Sequence, residues 1–330
     1  MATYKVNPSM SHSKIQSYLA IHNSKIIFTA GIYTVKKPFL LYSSTEIQLE
    51  KGAVLKRMAK CYVFQSSVGC NVTKYSGCHD ISIHGGKIIC NGSTQPSNII
   101  SLFHSKNIKI YDMTIKDNVG NHAIEINSSC NVTIDNVTFD GNKQVEGCEF
   151  REMIQLDYAY KTGLPIYANA NYKCYDGTPC ENITIKNCTF KGSNIAIGTH
   201  TCMNYKNQHK NIVIDNNKFT SDGVLGKYGA FVRCIGMDNV KITNNMVSNV
   251  GRLVEITTPN KFYNKNSTTT TIPSKDVTGC SNIIIERNTI LKSNNTFKYN
   301  GVYVTSKFDT IEHTGIVVKN NKLNGAKNNI

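Results

Sequence analysis

One short phrase returns eight times along this chain: two aliphatic residues two positions apart, a small polar bend, then a further apolar residue. The second aliphatic and the later apolar residue, five positions on, form the pairs Ile83/Ile88, Ile110/Ile115, Ile134/Phe139 and Ile185/Phe190. Ile214/Phe219, Ile242/Val247, Ile285/Ile290 and Val318/Leu323 follow. Two residues after each first anchor stand Gly85, Asp112, Asn136, Asn187, Asn216, Asn244, Arg287 and Asn320. All but Arg287 are residue types that tolerate a left-handed backbone with little strain. A strand, left-handed bend, strand unit at this spacing predicts a coiled β-solenoid, in which each coil buries its apolar side only by stacking on its neighbours.

The repeats run without a compositional break, which predicts one elongated domain over all 330 residues: a cap over 1–24, coils over 25–323 and a tail over 324–330. No apolar run approaches the ~20 residues of a membrane span. Residues Met1–Asn7 lack a basic stretch and an apolar core of the secretory kind, so the chain reads as made in the cytoplasm, carried out on a particle, or shorn of a leader. Twelve cysteines appear without CxxC or His/Cys metal spacing, so free, buried thiols are expected, and no metal or cofactor. Cys174 and Cys180, flanking an Asp-Gly-Thr-Pro turn, are the pair with most reason to be bonded. The net charge of +15 suits a polyanion, but lysines are scattered and no nucleic-acid motif accompanies them. An acidic polysaccharide is therefore the expected partner, and nucleic acid is not.

Residues 10–22 carry Ile15, Leu19 and Ile21 near helical spacing, with Ser11 or Ser13 as N-cap, and predict a helix plugging one end of the solenoid. Between the repeated phrases lies a second set of strands, in which Ile124, Ile154, Ile197, Val232, Val254 and Val302 share the inward phase. Their outward neighbours then stack in two columns. One reads Glu125, Gln155, Gly198, Arg233, Glu255, Tyr303; the other reads Asn127, Asp157, His200, Ile235, Thr257, Thr305. Two insertions, 158–180 and 258–279, leave the chain beside these columns and are expected to wall them into a groove, with tyrosines such as Tyr158 at hand for sugar faces or for packing the loops themselves.

The opening, a helix followed by Ile26–Tyr33 and Ile47–Leu55, resembles that of the pectate lyase-like right-handed parallel β-helices, and the resemblance extends over nearly the whole chain. Within that superfamily the order of polar clusters is similar to the polygalacturonases, which carry Asn-x-Asp, Asp-Asp, Gly-His-Gly and Arg-x-Lys on successive coils. The matching places hold Asn127-Ser-Ser129, Asp157-Tyr158, Gly198-Thr-His200 and Arg233-Cys-Ile235. Asp157, His200 and Arg233 carry over; two carboxylates and the lysine do not. The resemblance implies a polysaccharide-active protein with Asp157 as general acid.

Glycoside hydrolysis needs two carboxyls flanking the scissile bond. Glu125 and Asp157, one coil and two residues apart, would lie roughly 8 Å apart on the diagonal, the spacing of inverting enzymes. Glu125 would then hold the water as base, with Glu152 as its substitute. His200 would steer Asp157 or a sugar hydroxyl. Arg233 would grip a substrate carboxylate or pair with Glu255 one coil on, and the residues alone leave that choice open. Gln155, Asn127, Glu255, Tyr303 and Tyr158 complete the expected binding surface. An endo-acting, inverting hydrolase of an acidic polysaccharide, working as a monomer rather than a trimer, is the first expectation. A lyase of the same fold is the second, and a glycan-binding or viral particle-surface protein without catalysis is the third.

Overall fold

At all eight bend positions the backbone is left-handed, with φ between 51° and 79°. Arg287 takes the conformation too, at φ 56°, and its Nε donates to Asn244 Oδ1 of the preceding coil at 3.0 Å. The structure, a computed structural model, describes residues 1–67, 71–159, 174–199, 207–258, 261–263, 269–271, 278–291, 300–307 and 311–329.

Each bend separates two strands of a coil, and a third strand closes the circuit. The first face stacks strands such as Lys106–Tyr111, Cys130–Asp135, Glu181–Lys186 and His209–Asp215 in parallel register. The second face stacks Thr114–Val119, Thr138–Lys143, Thr189–Ser193 and Lys218–Ser221. The third is a parallel sheet of ten strands running from Phe39–Leu41 to Lys327–Asn329. This is the all-β parallel solenoid expected from the repeats.

Inward residues of the three faces form one continuous core that includes Ile110, Ile134, Ile185 and Ile214. Phe139 and Phe190, in register on adjacent coils, stack with centroids 4.7 Å apart and planes within 5° of parallel. Aromatic stacking of this kind adds about 0.5–1.5 kcal/mol to the burial itself. The helix spans His12–Leu19, with Ser11 Oγ accepting from Lys14 N at 3.2 Å and with Ile15 and Leu19 facing the core. Ahead of it, Ala2–Val6 already pairs with Ser24–Phe28, so the end of the solenoid carries a strand as well as a plug.

Three files of asparagine run along the coils. The bend file links by side chain, as in Asn216 Nδ2 to Asn187 Oδ1 at 2.8 Å. A second left-handed file, Asn107, Asn131, Asn182, Asn211 and Asn239, stands at the entrance to the first-face strands and was not anticipated. Its amides bond coil to coil at 2.8–3.0 Å. The third file is internal: Asn217, Asn245, Asn288 and Asn321 pass hydrogen bonds of 2.9–3.0 Å down the axis, each Oδ1 also accepting the backbone N–H of the residue in the coil before. The ten described cysteines are free thiols, Cys174 and Cys180 included. Burial pushes the Cys78, Cys90, Cys180 and Cys188 thiols up to about 12.

Candidate functional site

The third face carries the expected columns. Glu125 pairs in register with Gln155, Gln155 with Gly198, Gly198 with Arg233, Arg233 with Glu255, and Glu255 with Tyr303. Asn127 pairs with Asp157, and Ile235 with Thr257. Glu125 and Asp157 therefore sit on the diagonal foreseen for them. His200 lies outside the described residues.

The alternation has one break, and it matters. At the start of these strands two successive residues face the core, as with Met153 and Ile154 or Leu253 and Val254. The residue before each pair is thereby turned out toward the polar columns. Glu152 and Arg252 occupy that position, so a strand-start acid and a strand-start base join the site.

Together they build an ion-pair lattice. Arg233 donates through Nε to Glu255 at 3.3 Å and through a terminal nitrogen to Glu152 at 3.2 Å, while Arg252 donates to the other oxygen of Glu255 at 2.6 Å. Glu152 lies two coils from Arg233, and the glycine between them makes the reach possible. A Cβ on Gly198 would come within 3.0 Å of Arg233 Cβ and 3.3 Å of Glu152 Cγ. Aromatic rings cover the guanidinium groups: Arg252 lies 4.2 Å from the Tyr303 centroid and 5.7 Å from that of Tyr228, and Arg233 lies 5.8 Å from that of Phe150. Arg233 thus has the Glu255 pairing that was one of its two expected roles. Burial pushes the Glu152 carboxyl up, against the pull of Arg233.

Most of the two insertions expected to wall a groove here lies outside the described residues, and the carboxyls expected to open onto it are buried. Glu125 is 2% exposed and Asp157 1%, and Gln155, Asn127, Glu152 and Tyr158 are buried as well. Asn98, on the segment leading into the coil before Glu125, donates to Glu125 Oε2 at 2.6 Å, and Ser101 Oγ stands 3.4 Å from the same oxygen. Burial raises the Glu125 carboxyl to about 7, with the Asn98, Asn127 and Ser101 side chains working against the rise. Asp157 accepts from Tyr158 N at 2.7 Å and from Gln155 Nε2 at 3.3 Å. Tyr158 turns away and donates to Asn207 O at 2.7 Å.

Part of the cover is a clasp. His104, fully buried, places Nε2 2.7 Å from Cys174 O and Nδ1 against Lys74 O, tying residues 71–77 to the 174–180 segment. Phe103, Ala159, Cys174 and Tyr175 form a small separate apolar cluster beneath it. A depression of about 1130 Å³, bordered by Lys109, Tyr111 and Asp135, lies instead on the first face, away from these carboxyls. Among the described residues no three His, Cys, Asp or Glu side chains converge as a metal site.

Sequence reasoning missed Asn98, Arg252, Tyr228 and Phe150. Arg252 and Glu152 share a signal, a charged residue directly before two apolar ones at the head of a third-face strand. Phe150 sits in a turn and Tyr228 ends a short 3-10 helix over Gly226–Tyr228; they are 54% and 49% exposed, and only their place beside the arginines marks them.

No family model matches the chain. It is 30% identical over 253 residues to plasmin and fibronectin-binding protein A of Streptococcus pneumoniae, an alignment covering 67% of this chain and 34% of that protein. The chain thus spans about a third of the length of this curated relative. Among solved structures, the PfbA surface adhesin of Streptococcus pneumoniae superposes with a TM-score of 0.73 at 22% identity, covering 94% of this chain and 73% of that one. A family 28 exopolygalacturonase of Yersinia enterocolitica gives 0.66 at 12% identity, covering 99% and 65%. The tailspike of Escherichia coli bacteriophage HK620 gives 0.64 at 12%, covering 97% and 54%. Identities this low speak to architecture, and with the parallel three-faced coils described above they establish one conclusion: the chain is a right-handed parallel β-helix of the pectate lyase-like fold.

Proposed function

We propose that this chain is a non-catalytic binding solenoid, of the kind displayed on a cell or particle surface, holding a glycan or a protein partner. The observation that carries the reading is how the third-face carboxyls are used. Glu152 and Glu255 neutralise Arg233 and Arg252, and Glu125 and Asp157 lie under cover. An inverting hydrolase needs two carboxyls with access to a sugar bond and to water. Exposed Phe150 and Tyr228 beside ring-covered arginines are the composition of a binding hot spot rather than of a reaction centre. The relative named for binding plasmin and fibronectin supports the same class, and both proteins are first candidates as partners.

Glu125 favours a second reading. A buried carboxyl that titrates near 7 has the properties of a general acid, and Asp157 stands on the diagonal suited to activating water. In that hydrolase the two carboxyls would exchange their expected roles, of which the resemblance implies only that of Asp157 as acid.

One experiment separates the readings. The protein is incubated with a panel of acidic and neutral polysaccharides while reducing ends and near-ultraviolet absorbance are followed, and binding to the same glycans, plasmin and fibronectin is measured in parallel. Binding without turnover is the expected result. Reducing ends that disappear in Glu125→Gln would replace it with the hydrolase, and an absorbing unsaturated product with a lyase.

A further inference from the structure

Charge is distributed unequally between the faces of the coil. On the first face, four lysines pair with acids on neighbouring coils: Lys25 with Glu46 at 2.7 Å, Lys186 with Asp135 at 3.3 Å, Lys210 with Glu181 at 3.0 Å and Lys319 with Glu286 at 3.3 Å. Lys106, Lys109 and Lys241 form no ion pair among the described residues but share the face with acids such as Asp80, Asp215 and Asp238. The second face has no such balance. Among the described residues, Lys56, Lys87, Lys191 and Lys218 point outward there with no ion pair, and only Lys116 has one, with Asp140 at 3.5 Å. Asp140 is the one acid in the two outward columns of the strands from Gly31–Val35 to Thr289–Ile290.

Register fixes where these amines lie. Lys87 is one coil beyond Lys56, Lys116 one further, and Lys191 and Lys218 follow on the fourth and fifth coils after Lys56. They occupy two adjacent columns, Lys56, Lys116 and Lys191 in one and Lys87 and Lys218 in the other, with Asp140 on the coil between Lys116 and Lys191. At ~4.8 Å per coil the band extends over roughly 24 Å. Between Lys87 and Lys218 the same column holds Thr114, Thr138 and Thr189, three hydroxyls in register on successive coils. The sheet holds the stems of these lysines at fixed spacing, so the amines can separate only by the swing of their own side chains. Neighbours within a Debye length, about 8–10 Å, repel one another until an anion lies between them.

We infer that the second face, from Lys56 to Lys218, is a docking strip for a linear acidic polysaccharide lying along the axis of the solenoid. The inference goes beyond the proposed function and holds whether the third face binds or hydrolyses. The strip suits an extended chain of sulfate or carboxylate groups, since it runs along the axis as a band two columns wide, spaces its charges by whole coils and supplies hydroxyls between them. It does not suit single-stranded nucleic acid, which is held by base stacking on aromatic side chains, because neither outward column contains an aromatic residue.

The test uses the whole chain and immobilised dextran sulfate, polygalacturonate, neutral dextran, duplex DNA and anionic phospholipid vesicles, at low and moderate salt. Three charge reversals on the strip, Lys87→Glu, Lys191→Glu and Lys218→Glu together, are compared with three on the first face, Lys106→Glu, Lys109→Glu and Lys241→Glu. All six positions are exposed, so neither set disturbs the core. The expected result is salt-sensitive binding to an acidic polysaccharide that falls by roughly 30-fold or more in the strip variant and by only about 3-fold in the control. Equal losses in both sets would show that net charge alone is responsible and overturn the inference. Stronger binding to DNA or vesicles than to either acidic polysaccharide would overturn it too, as would equal binding to neutral dextran. Failure here leaves the proposed function standing, since that rests on the third face and on turnover.

Discussion

Glu125 gains a proton on folding at neutral pH, and its effect on stability has a definite sign. Its carboxyl titrates at about 7 in the fold against an ordinary value of 4.5, so the folded chain binds the extra proton between those values. Stability then falls as pH rises from about 4.5 to about 7 and stays low above, by on the order of 3 kcal/mol. Glu125→Gln keeps an acceptor for Asn98 and needs no charge. Urea titrations at pH 5 and pH 8 should find the variant equal to or below the parent in acid and more stable than it in base. Arg233 answers to a different rule. Its removal strands Glu152 in the interior, and breaking one side of a buried pair costs about 3–5 kcal/mol. Arg233→Ala should lose that much, and the double variant with Glu152→Gln should recover most of it. If the double variant is no better than the single one, the Glu152 bridge is not what holds this face together.

At the level of the element, the coil was legible because its bends repeat a backbone requirement rather than a particular residue. Asn136, Asn187, Asn216 and Asn244 stand at one bend because that bend is left-handed. The entrance file was equally written, as an asparagine ahead of a first-face aliphatic in Asn107-Ile108, Asn131-Val132, Asn182-Ile183 and Asn211-Ile212, but it went unread beside the more regular apolar pairs. The cover over the third face was not legible. It comes from Asn98 and from the clasp at His104, which joins residues 70 positions apart. Alternation within a strand predicts which way a side chain leaves the sheet, and it says nothing about what lies beyond. The two successive inward residues at the strand heads defeated it in the other direction and hid Arg252. The internal asparagine file carries its own prediction. Asn245→Leu deprives Asn217 of the acceptor for its backbone N–H and for one of its two side-chain N–H groups, the other still donating to Ile185 O. One buried backbone N–H without a partner and one side-chain N–H lost beside it should cost about 1–3 kcal/mol, read as a lower urea midpoint with an unchanged slope.

Across the whole molecule, each coil touches the one before and the one after, so stability is close to a sum of local terms and neighbour terms. Different faces can then carry different chemistry without interfering: an ion-pair lattice on the third, unmatched lysines on the second, and balanced charge on the first. One further consequence follows from the asparagine files. Asn131 bonds Asn107 across a separation of 24 residues, and Asn136 bonds Asp112 across the same interval. A segment of that size is therefore a copy-number unit. Excising residues 107–130 would join Lys106 to Asn131, placing each in a slot that its lost counterpart held. Circular dichroism and gel filtration should report a folded, shorter rod, and duplicating the same segment should give a longer one. Length in this architecture can be inherited in whole steps, by events that hand each residue at the junction a neighbour from the same place in the repeat.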